Sequence, residues 1–254
     1  MNSPLAKNAK SAILMNINTG EVLFEKNMNK RLPPASLTKI MTLLIIFEQL
    51  GMGSITLKDK VKQSPNAESI RGSRVKFYPK EEISVEDLIK CIVIASANNA
   101  AVCMAEYIAG SLQEFVTMMG IKARELRLKN TNFLNPHGLD QAGHYSSAYD
   151  MAILSREIIK SGEILKYSSK YKDFIKKDSK KPLQLINTNK LLRSHSEIDG
   201  LKTGFTPLSK ACLSATAKKD NNRVLAIVLG EPNKRTRDLE IMEMLDYAWL
   251  KILG

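Results

Sequence analysis

The sequence predicts an α/β fold: an antiparallel sheet drawn from both ends of the chain, flanked by helices, with a mostly helical lobe inserted between the two sheet segments. Three observations lead there. Strand patterns occur near the N-terminus, helical patterns fill the middle, and strand patterns return before a last amphipathic helix. The sheet lobe is expected from about residues 1–35 and 185–254, the helical lobe from about 36–184, and the whole as a single domain.

The elements follow in order. Residues 12–17 are apolar and partly β-branched, Asn18-Thr19-Gly20 suits a tight turn, and residues 21–25 complete a hairpin. A polar loop ends in Pro33-Pro34-Ala35, and an apolar helix is expected from about Ser36 to Leu50, closed by Gly51. Residues 54–83 read as irregular and charged, with room for short strands. Ser84, with Asp87 three residues on, resembles a capping box that opens a helix through Ala95. Residues 98–109 and 112–126 continue as two helices, and residues 148–159 form another after a loop over 130–144. The Lys-rich stretch 167–181 reads as a solvated hairpin or loop. Late strands are expected through Lys202-Thr203-Gly204, at 211–217 and at 224–229, the last two joined by the turn residues 218–222. Residues 236–250 form an amphipathic helix with Leu239, Met242, Leu245 and Trp249 at helical spacing, expected to bury an apolar face on the sheet.

The chain has 254 residues, 44% hydrophobic and 25% charged, an ordinary globular composition with enough length to bury a core. Its net charge is +12, but Lys and Arg are spread along the whole sequence. Without zinc-finger spacing or an RNA-binding aromatic signature, no nucleic-acid partner is expected; a solvated basic surface or an anionic polymer such as cell wall accounts for the charge. Cys91, Cys103 and Cys212 form no C-x-x-C pair and are expected as buried free thiols. His137, His144 and His195 are scattered, so neither metal nor cofactor is expected. The longest apolar run, 40–47, is too short to span a bilayer.

Three short motifs carry chemistry. Ser36-Leu37-Thr38-Lys39 places a hydroxyl and an amine three residues apart at a helix start, where both lie on one face. A serine hydroxyl needs a base, and a lysine serves only if burial or a nearby cation lowers its pKa. Free N–H groups at the helix start suit an oxyanion. Ser96-Ala97-Asn98 lies between two helices, and Lys202-Thr203-Gly204 on a strand, where the glycine leaves room for a ligand beside the backbone. Each alone has an ordinary reading, as an N-cap, a helix junction or an edge-strand lysine. Together, in this order and context, they match the S-x-x-K, S-x-N and K-T-G set of penicillin-binding proteins and class A β-lactamases.

The flanking text resembles the low-molecular-mass D-alanyl-D-alanine carboxypeptidases: residues 31–42 (RLPPASLTKIMT), 96–100 (SANNA), 135–139 (NPHGL), 144–150 (HYSSAYD) and 199–205 (DGLKTGF), within a likeness running from about Ala9 to Tyr247. The resemblance implies a β-lactamase/transpeptidase-like fold and a serine carboxypeptidase that removes the terminal D-Ala of peptidoglycan stem pentapeptides ending in D-Ala-D-Ala. It implies Ser36 as nucleophile, Lys39 as its base, and Ser96 and Asn98 as proton shuttle and peptide contacts. Lys202, Thr203, Gly204 and Phe205 would line the substrate, Arg237 would pair with its terminal carboxylate, and the N–H groups of Ser36 and Phe205 would form the oxyanion hole. Penicillin and other β-lactams should acylate Ser36. Two positions depart from the family: Asn99, where an acid is usual, and Ser209-Lys210, where Ala-Gly is usual. A β-lactamase would need a deacylating Glu-x-x-x-Asn segment, which does not occur between Asn98 and Lys202. A non-catalytic peptidoglycan-binding module of the same fold would have no use for the intact set. The resemblance also implies extracytoplasmic action. The chain is expected to be a soluble catalytic domain, without the family's C-terminal β domain and membrane anchor and without the delivering signal segment.

Overall fold

The N-terminal hairpin forms where the apolar alternation requires it. In the computed structural model, which describes residues 5–78, 81–176 and 181–253, strand β1 (Ser11–Asn16) pairs antiparallel with β2 (Val22–Lys26). A 3-10 turn, Ala35–Thr38, then leads into helix α1 (Lys39–Gly51). The charged stretch that follows holds β3 (Lys60–Lys62), the short helix α2 (Pro65–Ser69) and β4 (Glu82–Ser84), with β3 and β4 paired as a separate ribbon. Helix α3 (Val85–Val93) starts at the expected cap, where the Ser84 hydroxyl accepts from the Asp87 N–H at 3.1 Å.

Helices α4 (Asn98–Ala109), α5 (Leu112–Glu125) and α6 (Ala148–Lys160) occupy the expected spans. The Lys-rich region, expected as a hairpin or loop, opens with a single helical turn, α7 (Leu165–Ser168), and continues as an antiparallel ribbon of β5 (Lys172–Ile175) and β6 (Leu183–Ile186). Its expected loop includes residues 177–180, which lie outside the described residues. A second 3-10 turn, Lys190–Arg193, precedes β7 (Ile198–Thr206), β8 (Lys210–Lys219), β9 (Asn222–Glu231) and helix α8 (Lys234–Leu253).

The main sheet is antiparallel with strand order β2-β1-β9-β8-β7, so its first and last segments in sequence do share one sheet. Alternation along β1 separates two cores: Ile13 and Met15 face the helical side with α1, α3, α4 and α6, while Ala12 and Leu14 face α8 on the other side. Each fully buried Ile, Leu or Met side chain contributes about 1.5–3 kcal/mol. The three cysteines are buried and free.

The register of α8 differs from its expected stripe. Arg237, Glu240, Ile241, Met244, Leu245 and Ala248 are buried, whereas Met242 and Trp249 are half-buried and Leu239 is exposed. The inward turn of Arg237 sets that phase, because residues three and four apart share its face and Leu239 lies well round the helix from it. No helix among the described residues is long and apolar enough to cross a membrane.

Candidate active site

Ser36, the expected helix start, sits in the 3-10 turn that follows Pro33-Pro34, one turn before α1 begins at Lys39. Ala35 immediately before it has φ +48°, an uncommon state for a residue with a side chain. Two glycines hold that turn. A Cβ on Gly138, itself at φ +84°, would lie 1.8 Å from the Ala35 carbonyl oxygen and 2.8 Å from Thr38 Oγ1. A Cβ on Gly204 would lie 3.0 Å from Ala35 Cβ, Leu37 Cδ1 and the Pro34 carbonyl oxygen. The space at Gly204, expected for a ligand, is thus filled by the nucleophile's own turn. Its role is close packing of strand β7 on that turn.

Lys39 is completely buried at the first position of α1. Its Nζ lies 2.9 Å from Ser36 Oγ, 2.7 Å from Asn98 Oδ1 and 2.7 Å from the His137 carbonyl oxygen. Burial holds its pKa well below the ordinary lysine value, and the neighbouring Lys202 lowers it further. A neutral amine has two N–H donors and one lone pair. The His137 carbonyl and the Asn98 amide oxygen can only accept, so in the neutral form both donors would go to them and the lone pair would be left for the Ser36 hydroxyl. Asn98 is oriented for this by its own Nδ2, which donates to the Arg71 carbonyl at 2.6 Å.

Ser96 is buried with φ +57° in the junction between α3 and α4. Among the described residues, no hydrogen bond joins its hydroxyl to Ser36 or Lys39; its tie to the cluster is its place two residues before Asn98. Lys202 is buried on β7, and burial followed by the charge of Arg237 lowers its pKa to about 7. Its Nζ donates to the Thr203 carbonyl at 3.2 Å, and Thr203 Oγ1 donates to Thr188 Oγ1 at 2.7 Å. Arg237 is buried and donates through Nε and Nη2 to Asp238 Oδ1 at 2.8 and 2.6 Å. Strand β7 is the edge strand of the sheet, the position at which an extended peptide can be added. The Phe205 ring on this strand is half exposed, with Lys234 Nζ 5.6 Å from its centroid. The cluster therefore joins a hydroxyl, an uncharged-prone amine and two further basic side chains, a setting for acyl transfer to serine from a substrate with a carboxylate.

Several contributors were not assigned roles from the sequence. The segment 135–139 supplies the His137 carbonyl and Gly138, and is itself folded by Asn135 Oδ1, which accepts from the N–H groups of His137 and Gly138. Thr42 Oγ1 donates to the Pro136 carbonyl at 2.7 Å, tying this segment to α1. His144 Nδ1 accepts from the Leu134 N–H at 3.0 Å, so its Nε2 carries the proton that meets Thr38 Oγ1 at 2.8 Å. Burial lowers its pKa to about 4, and burial with the nearby Lys39 lowers that of His137 to about 3. Both are neutral framework groups. The only sequence signal for them was the run of text shared with the family.

Both departures have a structural account. Asn99 is buried, its Nδ2 donating to the Val75 carbonyl at 2.8 Å and its Oδ1 accepting from the Val75 N–H at 3.2 Å. An amide makes both contacts, whereas an ionised acid could make only the second. Lys210 is exposed with φ +58° at the β7–β8 turn, where a glycine would be unstrained. Its side chain points to solvent, as long cationic chains do. Ser209 is buried, its Oγ accepting from the Thr206 N–H at 2.9 Å.

Known proteins match this chain along nearly its whole length. D-alanyl-D-alanine carboxypeptidase DacF of Bacillus subtilis is 49% identical over 247 residues, covering 97% of this chain and 64% of its own length. Penicillin-binding protein 5 of Haemophilus influenzae superposes with a TM-score of 0.91 at 34% identity, covering 98% of this chain and 73% of that one. Penicillin-binding protein D2 of Listeria monocytogenes, solved with ampicillin bound, superposes with a TM-score of 0.87 at 30% identity, covering 97% of this chain and all of that one. The fold is that of the penicillin-binding proteins. The chain spans just under two thirds of the length of the first curated relatives it matches. A model of the D-alanyl-D-alanine carboxypeptidase family, peptidase family S11, matches residues 1–233, and the chain belongs to that family.

Proposed function

We propose that this chain is the catalytic unit of a serine D-alanyl-D-alanine carboxypeptidase, removing the terminal D-Ala of peptidoglycan stem peptides outside the cytoplasm and acylated by penicillin at Ser36. The observation that carries this reading is the buried Lys39 amine 2.9 Å from Ser36 Oγ, held also at 2.7 Å by Asn98 Oδ1 and by the His137 carbonyl oxygen. Lys39 takes the hydroxyl proton as Ser36 Oγ bonds to the carbonyl carbon between the two D-alanines. The proton then passes from Lys39 to the departing D-Ala nitrogen as the C–N bond breaks, with Ser96 the expected relay. Water attacks the resulting ester, and Ser36 recovers its proton.

The N–H of Ser36 belongs to the first turn of its helical segment, whose donors have no partner inside the helix. With the N–H of Phe205 it would hold the oxyanion. Lys202 and Arg237 would attract the terminal carboxylate, Thr203 would hydrogen-bond it, and Asn98 would hold the peptide on the acyl side. A β-lactam offers the same carbonyl and carboxylate. The test is intact-mass measurement after incubation with penicillin, alongside D-Ala release from a D-Ala-D-Ala peptide. One adduct, lost in Ser36→Ala, is expected. An adduct on another residue, or none on folded protein, would remove the basis for the mechanism.

A further inference from the structure

The segments that build the site also carry its exposed rim, and that rim is cationic. Arg71 and Arg74 lie on the loop whose backbone rests on Asn98: the Arg71 carbonyl accepts from Asn98 Nδ2 at 2.6 Å, and the Ser73 carbonyl accepts from the Asn98 N–H at 2.7 Å. Lys210 stands at the β7–β8 turn, opposite Thr206 in the strand register. Lys234 covers the Phe205 ring, and Arg235 follows it at the start of α8, two residues before Arg237. All five are exposed, and among the described residues none is ion-paired. Two acids on these segments are hydrogen-bonded within the site. Asp140 accepts from Thr206 Oγ1 at 2.7 Å and the Leu208 N–H at 3.4 Å, and Asp238 holds Arg237. The five exposed cations outnumber these two acids, so the segments that build the site carry an excess of positive charge beyond the buried Lys202 and Arg237.

This excess is more than one terminal carboxylate requires. That carboxylate is met by Lys202 and Arg237 inside the site, on the leaving-group side. Asn98, assigned above to the acyl side, is the residue on which the loop carrying Arg71 and Arg74 rests. Cations there attract and orient a second negative charge on the same substrate.

Building on the proposed carboxypeptidase activity, we infer that the rim selects stem peptides bearing a free side-chain carboxylate at the residue before the two D-alanines, over the same peptides with that carboxylate amidated. Arg71 and Arg74 are the specificity-determining pair, and Lys210, Lys234 and Arg235 add to the field.

The experiment compares two N-acetylated peptides ending in X-D-Ala-D-Ala, with X glutamate or glutamine, by kcat/KM for D-Ala release at low and high salt. Exposed charge pairs of this kind support a preference of about 3- to 10-fold for the glutamate peptide at low ionic strength. It should fall towards 1 near 0.5 M salt, where screening is complete within a few ångströms. In Arg74→Gln/Lys210→Gln, both exposed positions, the preference should shrink while the glutamine peptide is turned over within twofold of wild type. In Arg74→Glu it should fall further or invert. Equal kcat/KM for the two peptides at low salt, or a preference unmoved by both variants, would overturn the inference alone. So would a loss in the double variant that is the same for both peptides, the sign of a rim that binds a polyanion instead. Release from neither peptide would overturn the carboxypeptidase reading, and this inference with it.

Discussion

Gly138→Ala tests how the nucleophile is held. The added methyl would start 1.8 Å from the Ala35 carbonyl oxygen, 2.4 Å from its carbonyl carbon and 2.8 Å from Thr38 Oγ1, on a backbone at φ +84°. The left-handed conformation costs an alanine about 1–2 kcal/mol, and forcing a methyl into a filled site adds about 1–3 kcal/mol. Their sum is a loss of about 2–5 kcal/mol in unfolding free energy. Gly53→Ala is the control, because Gly53 has φ +72° and nothing within 4 Å of its Cβ position. It should lose only the conformational part, about 1–2 kcal/mol. The collision is relieved only by moving Ala35 or the 137–138 segment, and these carry Ser36 and the carbonyl that holds Lys39. A displacement of about 1 Å should then lower the acylation rate by roughly 100-fold. Urea denaturation gives the stability difference, and time-resolved intact mass with penicillin gives the rate. If Gly138→Ala costs no more than Gly53→Ala and acylates within twofold of wild type, the two-glycine clamp is not what positions Ser36.

Two pH-dependent outcomes follow from buried groups. Lys202→Met removes the second cause of the low Lys39 pKa, so the Lys39 proton is held more tightly and the acid limb of the acylation–pH profile should move to higher pH; the shift should be modest, because burial is the larger cause, and a limb that stays put would show that Lys39 is not the titrating base. Glu231 is fully buried, and burial with the neighbouring Glu240 raises its pKa from the ordinary 4.5 to about 8. Between those values the folded protein keeps a proton that the unfolded chain has lost, so this group's contribution to stability falls as pH rises from about 4.5 to 8. Glu231→Gln keeps the shape without that proton and should flatten the pH dependence of Tm and raise Tm at pH 9, with roughly 2–4 °C expected per kcal/mol recovered; an unchanged alkaline slope would place the proton elsewhere.

Much of the architecture was legible because periodicity is local. The hairpin at β1 and β2, helices α3 to α6 and strands β7 to β9 follow from alternation, helical spacing and a cap such as Ser84, all written within a few residues. Helix α2 and the turn at α7 were missed because each is too short to show a helical period, while the β5–β6 ribbon lies where a solvated hairpin or loop was expected. The stripe of α8 was misjudged at Leu239 because apolar spacing alone does not say which face a helix presents. The buried guanidinium of Arg237 decided that.

The sequence by itself determined the family, the order of the three motifs and the identity of Ser36, Lys39, Ser96, Asn98 and Lys202 as the residues to look for. Spacing also put Ser36 and Lys39 within reach, since three residues along one helical turn are neighbours whatever the rest of the chain does. Only the tertiary structure decided why the amine can act. Its lowered pKa needs burial and Lys202, its amine is held by Asn98 and the His137 carbonyl, and its serine is held between Gly138 and Gly204. Those partners stand 59, 98 or more residues away in the chain. Desolvation, close approach of backbones and the direction of a hydrogen bond are properties of what surrounds a residue in space, and pattern along the chain does not contain them.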